Sequence, residues 1–513
     1  MPRAILLRGR DGPGTGLRTG RRRAPLARPR TEPMSLSPDL VSSRATDLAR
    51  AIRDRTVSAR EVMRAHLDRI ARANPAANAI VGLRDPEILL EEAACADRDL
   101  AAGRWRGPLH GLPHAVKDTS PAAGLIWTQG SPLFAGRVAE ADAPHVARLR
   151  QAGAILIGKT NVPEFGLGSH TVNPVFGATR NAYDPARSAG GSSGGAAVAL
   201  ALRMLPLADG SDHAGSLRNP AAWNGVLGLR PSPGRVPMRT DEVFLPDLTV
   251  AGPMARCTAD LGLLLSVLAG PDPRLPHSLT EDPSAFAAPA PLALAGLRIG
   301  WLGDLGGHLP VEPGILALCE RALAVFAGEG ARVAPLALGF DAEAVFRAWR
   351  VLRAWQAGAA LAPHARDPAA RAALKPDALF EIDERARLDA YAVQAASALR
   401  SRWFAHLLDL FARCDLLALP AAQVFPFPIG EMWPRAIAGR PMDSYHRWME
   451  VAIPATMGGC PAISLPAGRG PGGLPMGLQL IAPHRGEGRL LAVAAAYEAA
   501  TGFDREAPAI TAL

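Results

Sequence analysis

Three segments of the chain carry side chains that together can perform nucleophilic catalysis. Lys117 lies in GLPHAVKD, Ser192 and Ser193 lie in SAGGSSGGAAVAL, and Ser216 lies in ADGSDHAGSLRNP. A serine hydroxyl is a weak nucleophile and needs an adjacent base. Lysine can be that base when burial keeps its amine neutral, whereas arginine stays protonated. The three segments therefore predict a serine-dependent site in which Lys117 is the base.

Lysine is rare in this chain, which contains only Lys117, Lys159 and Lys375 beside many arginines. A chain that uses arginine nearly everywhere can retain lysine where a proton must be lost. Each candidate also has an ordinary structural interpretation, because Lys117 could pair with Asp118 and Ser216 could cap a helix. The catalytic interpretation therefore depends on the three segments occurring together and in order.

Two further motifs match known patterns but lack the local structure that those patterns require. The segment GAILIGKT, which ends at Lys159-Thr160, fits the P-loop pattern. Its variable residues read as a buried strand, and a loop follows where a helix should begin. GGSSGG at 190–195 fits G-x-S-x-G, but polar residues precede it instead of a strand. We therefore expect neither an NTPase nor an α/β-hydrolase.

The sequence predicts no metal site and no disulfides. His110 and His114 have a ligand-like spacing, but the intervening Gly-Leu-Pro prevents the helix that would bring both rings to one face. The five cysteines are scattered, odd in number and without a C-x-x-C pair, which favours reduced thiols. We expect no cofactor, no metal and a cytoplasmic location.

The positive charge of the chain is concentrated at its N-terminus. Residues 1–33 carry nine arginines against Asp11 and Glu32, so most of the net charge of +8 belongs to this stretch. It has little to bury, and we expect a disordered basic extension. The nearly neutral remainder argues against a nucleic-acid partner, and no apolar run is long enough to span a membrane. We expect a small-molecule amide or carbamate substrate, and the one assembly considered is a homodimer, because the sequence does not determine the oligomeric state.

The hydrophobic pattern alternates between helices and strands. Helical spacing predicts helices over 38–72, with a break at 56–58, and over 86–101, 142–154, 196–204, 258–269, 312–329, 342–362, 383–412 and 487–500. Short apolar runs predict strands at 115–118, 154–158, 295–303 and 415–422 and a strand pair at 461–468 and 474–483. This alternation indicates an α/β layer fold. Five of the nine tryptophans lie within 341–450, which favours either a second helical core or an apolar lining for the substrate.

In order and spacing, the three segments resemble the amidase signature family. Ser192 and Ser216 are 24 residues apart, which agrees with the family pattern, and similar segments run from about 80 to 270 and again from PAISLPAG through GLPMGLQLIAP. The resemblance implies one large domain over 34–505. It also implies a mixed central β-sheet flanked by helices on both faces, with a helical insert on the substrate side at about 340–450.

The resemblance also implies a role for each candidate residue. Ser216 corresponds to the nucleophile, Ser192 to a bridging serine on a cis peptide bond, and Lys117 to the base. In such an arrangement Ser192 passes a proton between Ser216 and Lys117 and later returns it to the leaving amine. The choice of Ser192 over Ser193 depends on the family register alone.

The segment before the nucleophile departs from the family pattern. The resemblance implies an oxyanion hole made by the backbone N–H groups of His213, Ala214 and Gly215. The family usually has Gly-Gly where this chain has Ala214-Gly215, and a small or aliphatic residue where it has His213. Ser188 and Ala189 also replace a proline that is common just before the glycine loop. We expect these changes to affect the choice of substrate more than the type of reaction.

The sequence leads to one principal expectation and three alternatives. The principal expectation is hydrolysis of a small apolar or aryl carboxamide or anilide to an acid and an amine through an acyl-enzyme. Carbamate or ester hydrolysis by the same residues is a close alternative. A transamidating subunit of a tRNA-dependent amidotransferase is disfavoured by the neutral body of the chain. A non-catalytic binding protein is disfavoured by the intact Lys117, Ser192 and Ser216.

Overall fold

The computed structural model describes residues 36–238, 242–245 and 248–508. These residues belong to one unit that begins at Leu36. The basic extension predicted for residues 1–33 lies outside the described residues. None of the helices in the described ranges combines the length and apolarity needed to cross a membrane.

The strands of the described residues fall into two larger sheets and two short pairs. They are β1 (Ile80–Val81), β2 (Pro113–Lys117), β3 (Ile155–Thr160), β4 (Val172–Asn173), β5 (Gly177–Ala178), β6 (Ala208–Asp212), β7 (Leu227–Arg230), β8 (Val250–Ala255), β9 (Arg298–Trp301), β10 (Arg332–Pro335), β11 (Leu416–Pro420), β12 (Ala436–Ile437), β13 (Arg440–Pro441), β14 (Ala462–Arg469) and β15 (Pro475–Ile481).

The larger sheet has eight strands and mixed direction. Its order is β10-β9-β11-β15-β14-β7-β8-β6. The β10-β9-β11 end is parallel and the remaining pairs are antiparallel. A second sheet has the order β1-β3-β2, and its strand β2 packs beside β6. The strand pair predicted at 461–468 and 474–483 is therefore confirmed as β14 and β15 in the centre of the larger sheet.

Helices flank the central sheet on both faces, which gives the mixed α/β fold expected from the sequence. They are α1 (Ala45–Arg53), α2 (Ala59–Ala77), α3 (Pro86–Ala101), α4 (Pro144–Gln151), α5 (Gly194–Ala201), α6 (Arg218–Asn224), α7 (Thr258–Leu268), α8 (Ile315–Gly328), α9 (Ala342–Leu361), α10 (Pro368–Ala373), α11 (Pro376–Ala386), α12 (Ala390–Arg413), α13 (Ile453–Met457) and α14 (Glu487–Thr501).

Local sequence explains where α2 begins and why α5 is buried. Ser58 and Glu61 form a capping box that starts α2, so the break predicted at 56–58 separates two helices. Helix α5 has the sequence GGAAVALA, and all of its residues are buried. A helix that is apolar all round belongs in a core, and small side chains let its backbone approach the neighbouring strands closely. Helix α5 therefore fixes the glycine-rich loop before it deep inside the molecule.

The helical insert is shorter than the predicted range of about 340–450. Its helices α9 to α12 end at Arg413, and β11 at Leu416–Pro420 pairs with β9 and β15 in the central sheet. The apolar run LLALP fits a fully buried strand, which explains the difference. Three of the five tryptophans in this region, Trp349, Trp403 and Trp448, are buried. Trp349 and Trp403 belong to the core formed around the insert helices, as one of the two interpretations predicted, whereas Trp448 stacks on Trp223 in the main core.

Candidate active site

Lys117 ends strand β2 and lies in a buried cluster of hydroxyl groups. Its Nζ is 2.8 Å from Ser192 Oγ, 2.9 Å from Ser193 Oγ and 2.9 Å from Ser211 Oγ. Burial lowers the pKa of Lys117 to about 7, although the nearby Asp209 and Asp212 carboxylates act in the opposite direction. A lysine of this kind can exchange protons with hydroxyl groups near neutral pH.

The glycine loop before α5 holds Ser192 in place. The Gly191–Ser192 peptide bond is cis, in agreement with the family resemblance. Ser169 Oγ donates a hydrogen bond to the Gly191 carbonyl, and Thr171 Oγ1 donates one to the Gly190 carbonyl at 2.8 Å. The segment that follows β3 therefore braces the loop on its buried side.

Ser188, one of the departures from the family pattern, has a defined structural role. The Gly190 N–H donates to Ser188 Oγ at 3.1 Å, and Ser188 Oγ lies 2.7 Å from His170 Nδ1. His170 Nε2 lies 3.1 Å from the Ile429 carbonyl, which can only accept a hydrogen bond. The ring therefore carries its proton on Nε2 and accepts at Nδ1. Ser188 and His170 thus anchor the start of the glycine loop.

Ser216 lies between β6 and α6, directly beside the glycine loop. The Ser193 N–H donates to the Ser216 carbonyl at 3.3 Å, which brings the two serine segments together. Gly215, immediately before Ser216, has a φ of 97°. A Cβ at this position would lie 2.7 Å from Asn219 Oδ1 and 2.9 Å from Ala452 Cβ. Only glycine fits both the backbone conformation and the space.

A buried ion cluster fixes the Ser216 segment. Asp212 is fully buried and accepts hydrogen bonds from the Gly215 and Leu217 N–H groups at 3.0 and 3.1 Å. Arg218 Nη2 lies 2.8 Å and Arg230 Nη1 lies 3.2 Å from the same carboxylate. Burial alone would raise the pKa of Asp212, but the two guanidinium groups hold it far below its usual range. The carboxylate therefore clamps the backbone on both sides of Ser216.

The predicted oxyanion amides are not equivalent. The Gly215 N–H is already donated to Asp212, whereas in the described residues the Ala214 N–H has no protein acceptor. Ala214 packs in an apolar cluster that includes Leu248 and Trp349. His213 Nδ1 lies 2.9 Å from Thr249 Oγ1, and its ring packs edge-on against Trp349. The roles of these amides stay predictions.

Lys159 and the two histidines of the metal-like spacing have other partners. Lys159 lies in β3, and its Nζ donates to the Ser120 carbonyl. The P-loop interpretation is excluded, because the segment is a strand and no helix begins at Thr160. His110 Nε2 lies 3.0 Å from the Ala96 carbonyl, whereas His114 Nε2 lies 3.0 Å from Asp209 Oδ1. The two histidine rings therefore have separate hydrogen-bond partners.

Known proteins match nearly the whole chain. The family model described as Amidase matches residues 61–491. The chain is 36% identical over 488 residues to a subunit of the glutamyl-tRNA(Gln) amidotransferase of Acidothermus cellulolyticus, covering 90% of this chain and 95% of that protein. It is 35% identical over 470 residues to an acylamidase of Rhodococcus erythropolis, covering 91% of this chain and 97% of that protein. The chain belongs to the amidase signature family.

Solved structures of the same family agree with this assignment. A bacterial aryl acylamidase of the amidase signature family has a TM-score of 0.83 at 29% identity, covering 91% of this chain and 99% of that chain. A peptide amidase from Stenotrophomonas maltophilia has a TM-score of 0.75 at 30% identity, covering 90% and 97%. Together with the acylamidase relative, these matches identify this amidase signature protein as an amide-hydrolysing enzyme.

The structure brings Lys117, Ser192 and Ser216 into one site and adds residues that the sequence analysis missed. Ser211 is a third hydroxyl at Lys117, and Asp209 lies two residues before it on β6. Side chains two apart on a strand share a face, so the pattern ADGSD could have placed both beside β2. Contacts to Asp212 are formed by Arg residues from different elements, and no spacing rule in the sequence predicts them.

Proposed function

We propose that this enzyme hydrolyses an aryl or apolar carboxamide to a carboxylic acid and an amine through an acyl-enzyme on Ser216. The observation that carries the proposal is the contact of the buried Lys117 amine with Ser192, on the loop that adjoins the Ser216 segment. A buried amine with a pKa about 7 can accept a proton and return it within one catalytic cycle.

In the acylation half, Ser216 Oγ attacks the carbonyl carbon of the amide. The proton of Ser216 passes to Ser192 Oγ as the proton of Ser192 passes to Lys117 Nζ, so Lys117 becomes the ammonium form. The carbonyl oxygen becomes an oxyanion, which backbone N–H groups near Ala214 stabilise. The C–N bond then breaks, and Lys117 returns its proton through Ser192 to the leaving amine.

In the deacylation half, a water molecule replaces the amine. Its proton passes through Ser192 to Lys117 as its oxygen bonds to the acyl carbon. The bond between the acyl carbon and Ser216 Oγ then breaks, and Ser216 regains a proton from Ser192 as Lys117 returns its proton to Ser192. The products are a carboxylic acid and the free enzyme, and no cofactor is needed for the proton or electron balance.

The preference for an aryl group is supported by an aromatic rim beside Ser192. The rim consists of Trp127, Phe134, Phe165 and His364, all partly exposed. Phe134 packs edge-on against Phe165 at 6.0 Å, and His364 stacks on Phe165 with an interplanar angle of 11°. Phe165 precedes Gly166, where a Cβ would lie 3.5 Å from Ser192 Oγ. The backbone next to Phe165 therefore passes close to Ser192, and in the proposed complex this aromatic group packs against an aryl substituent of the substrate.

Transamidation is a second candidate because the amidotransferase relative is as similar in sequence as the acylamidase. A transamidating enzyme delivers the ammonia released from its amide substrate to a partner-bound acceptor, whereas a hydrolase releases the amine into solution. The proposal favours hydrolysis because the chain outside residues 1–33 is nearly neutral. Carbamate or ester hydrolysis remains a candidate for the same residues, because all three reactions proceed through an acyl-enzyme.

A fluorophosphonate probe and a panel of matched substrates test this proposal. We expect the probe to label wild-type protein and Ser193→Ala but not Ser216→Ala. An anilide, its ester and its carbamate, all with the same acyl group, then rank the bond types by kcat/KM. Release of aniline by the isolated chain supports hydrolysis. Labelling of Ser216→Ala, or amide turnover only after addition of an ammonia acceptor and partner proteins, contradicts it.

A further inference from the structure

A buried carboxylate lies behind the catalytic lysine and has no part in the mechanism above. Asp209 on β6 is 1% exposed. The Lys117 backbone N–H donates to its carboxylate oxygens at 3.3 and 3.4 Å, and His114 Nε2 lies 3.0 Å from Oδ1. Asp209 and Ser211 share the face of β6 that meets β2, and Ser211 Oγ contacts Lys117 Nζ. Asp209 therefore contacts the Lys117 backbone, while Ser211, two residues further along the same face of β6, contacts the Lys117 amine.

The geometry indicates that His114 is a neutral donor to this carboxylate. Within the described part of the chain, His114 Nδ1 is buried and has no hydrogen-bond partner. A doubly protonated ring would bury an N–H without an acceptor, which is costly. With its single proton on Nε2, the ring donates to Asp209 and leaves the negative charge of the carboxylate in place. Burial alone would raise the pKa of Asp209, but the His114 hydrogen bond and the charge of Lys159 lower it overall.

His145 from α4 closes the other side of the carboxylate without neutralising it. Its Nε2 lies 3.9 Å from Asp209 Oδ2, which is too long for a hydrogen bond. Among the described residues neither buried ring nitrogen of His145 has a hydrogen-bond partner, and burial lowers the pKa of His145, so the neutral ring is favoured. Asp209 is thus a buried negative charge between two neutral rings, with Lys117 as a neighbour that can become positive.

We propose that Asp209 is a positioning residue that sets the pH range in which Lys117 can act as a base, and that His114 keeps the Asp209 carboxylate ionised. The inference depends on the proposed function, because it assumes that neutral Lys117 is the base. Burial favours the neutral amine, and the Asp209 charge favours the ammonium form. The balance allows Lys117 both to take up and to release a proton near neutral pH.

Other ionisable groups lie near Lys117 and Asp209, and the test variants must leave these groups unchanged. Helix α5 and strand β8, which also pack near these strands, carry no ionisable side chain. The buried ionisable side chains of α2 are directed to the carbonyls of Leu202 and Met204. The groups that act on Lys117, Asp209 or His145 from other positions are Asp212, Lys159 and Arg148, and Asp118 pairs with Lys159.

The decisive variant is Asp209→Asn, which removes the charge and keeps the shape. Without the carboxylate, the ammonium form of Lys117 is less stable and its pKa falls. The neutral base is then available at lower pH, so the acid limb of the pH profile moves to lower pH by about one unit. The readout is the rate of Ser216 labelling by a fluorophosphonate as a function of pH, which needs no knowledge of the substrate.

Asp260→Asn is the matched control. Asp260 is also fully buried and accepts two backbone N–H groups, from Ala45 and Thr46, each at 2.8 Å. We expect this variant to lose thermal stability and to keep the acid limb of the wild type. An Asp209→Asn protein that is folded by circular dichroism and shows an unchanged or raised acid limb overturns the inference.

A pair of His114 variants decides the question if Asp209→Asn does not fold. His114→Gln keeps a neutral N–H donor, and we expect it to keep the wild-type acid limb. His114→Leu has a similar volume but removes the donor, so a smaller fraction of Asp209 is ionised and the limb moves to lower pH. Equal limbs in the two variants contradict the inference. Failure of the proposed function is distinguishable, because the wild type itself would then show no labelling of Ser216 or no acid limb near pH 7.

Discussion

Lys117 and Lys159 occupy neighbouring positions on paired strands but meet different chemistry. In the parallel pairing of β2 and β3, Lys159 lies opposite Val116 and Lys117 lies opposite Thr160. Because the lysines differ by one residue in register, their side chains leave the sheet on opposite faces. Lys117 reaches three serine hydroxyls, whereas Lys159 reaches a backbone carbonyl and lies 3.9 Å from Asp118.

Burial alone therefore does not make a lysine catalytic. Burial lowers the pKa of Lys117 to about 7 and that of Lys159 to about 8, so both are perturbed. Lys117 and Lys159 differ in their hydrogen-bond partners. A serine hydroxyl can accept a proton from one neighbour and pass its own proton to the next. A carbonyl and a carboxylate hold an ammonium group in place and stabilise the fold.

The largest expected effect separates the two lysines by activity. Lys117→Met removes the base and should lower kcat/KM for an anilide by about 10²- to 10⁴-fold. Lys159→Met should keep kcat/KM within a few-fold but lower stability by about 3–5 kcal/mol, because Asp118 stays buried without its partner. Steady-state kinetics and urea unfolding measure both. Equal loss of activity in two folded variants would contradict the comparison.

The two adjacent serines of the glycine loop that contact Lys117 give the next test. Ser192 is on the cis peptide, whereas Ser193 Oγ lies 3.4 Å from the backbone carbonyl oxygen of Ser211 on the strand side. Ser192→Ala should lower the rate of Ser216 acylation by about 10²-fold or more, because the proton path is broken. Ser193→Ala should lower it by about tenfold, the value of one lost hydrogen bond. The opposite ranking would make Ser193 the bridging serine.

A third prediction concerns pH. In the proposed mechanism the neutral Lys117 amine is the base, so kcat/KM should fall about tenfold per pH unit below a pKa of about 7. Lys159→Met should move this limb less than Asp209→Asn does, because Lys159 contacts none of the serine hydroxyls at Lys117 and acts only through its charge near Asp209. A larger shift in Lys159→Met would mean that the two lysines titrate together.

The smallest effect tests the segment before the nucleophile. Gly215→Ala places a methyl group within 2.7 Å of Asn219 Oδ1 at a φ of 97°. We expect a loss of about 1–3 kcal/mol in stability and a lower kcat. The matched change Gly136→Ala adds a methyl where nothing lies within 4 Å and should leave both unchanged. Equal stabilities of the two variants would show that the Ser216 segment is less constrained than its contacts suggest.

The sequence predicts the layer fold, which is confirmed, and it predicts three segments that the structure brings together around Lys117 and Ser192. The central strand pair β14 and β15 was readable because apolar runs bounded by turns identify buried strands. The strand at 415–422 is also predicted, but its place in the central sheet depends on β9 and β15, which are distant in sequence. The Asp209–His114 contact joins residues 95 apart, and no local pattern predicts it.

The most direct test of the account is the titration of Lys117 itself. The chain contains three lysines, so selective ¹³Cε-lysine labelling gives three resonances that Lys117→Met and Lys159→Met assign. We predict that the Lys117 resonance titrates with a pKa of about 7 and that of Lys159 with a pKa of about 8. A Lys117 resonance that stays in the ammonium form up to pH 10 would contradict the account.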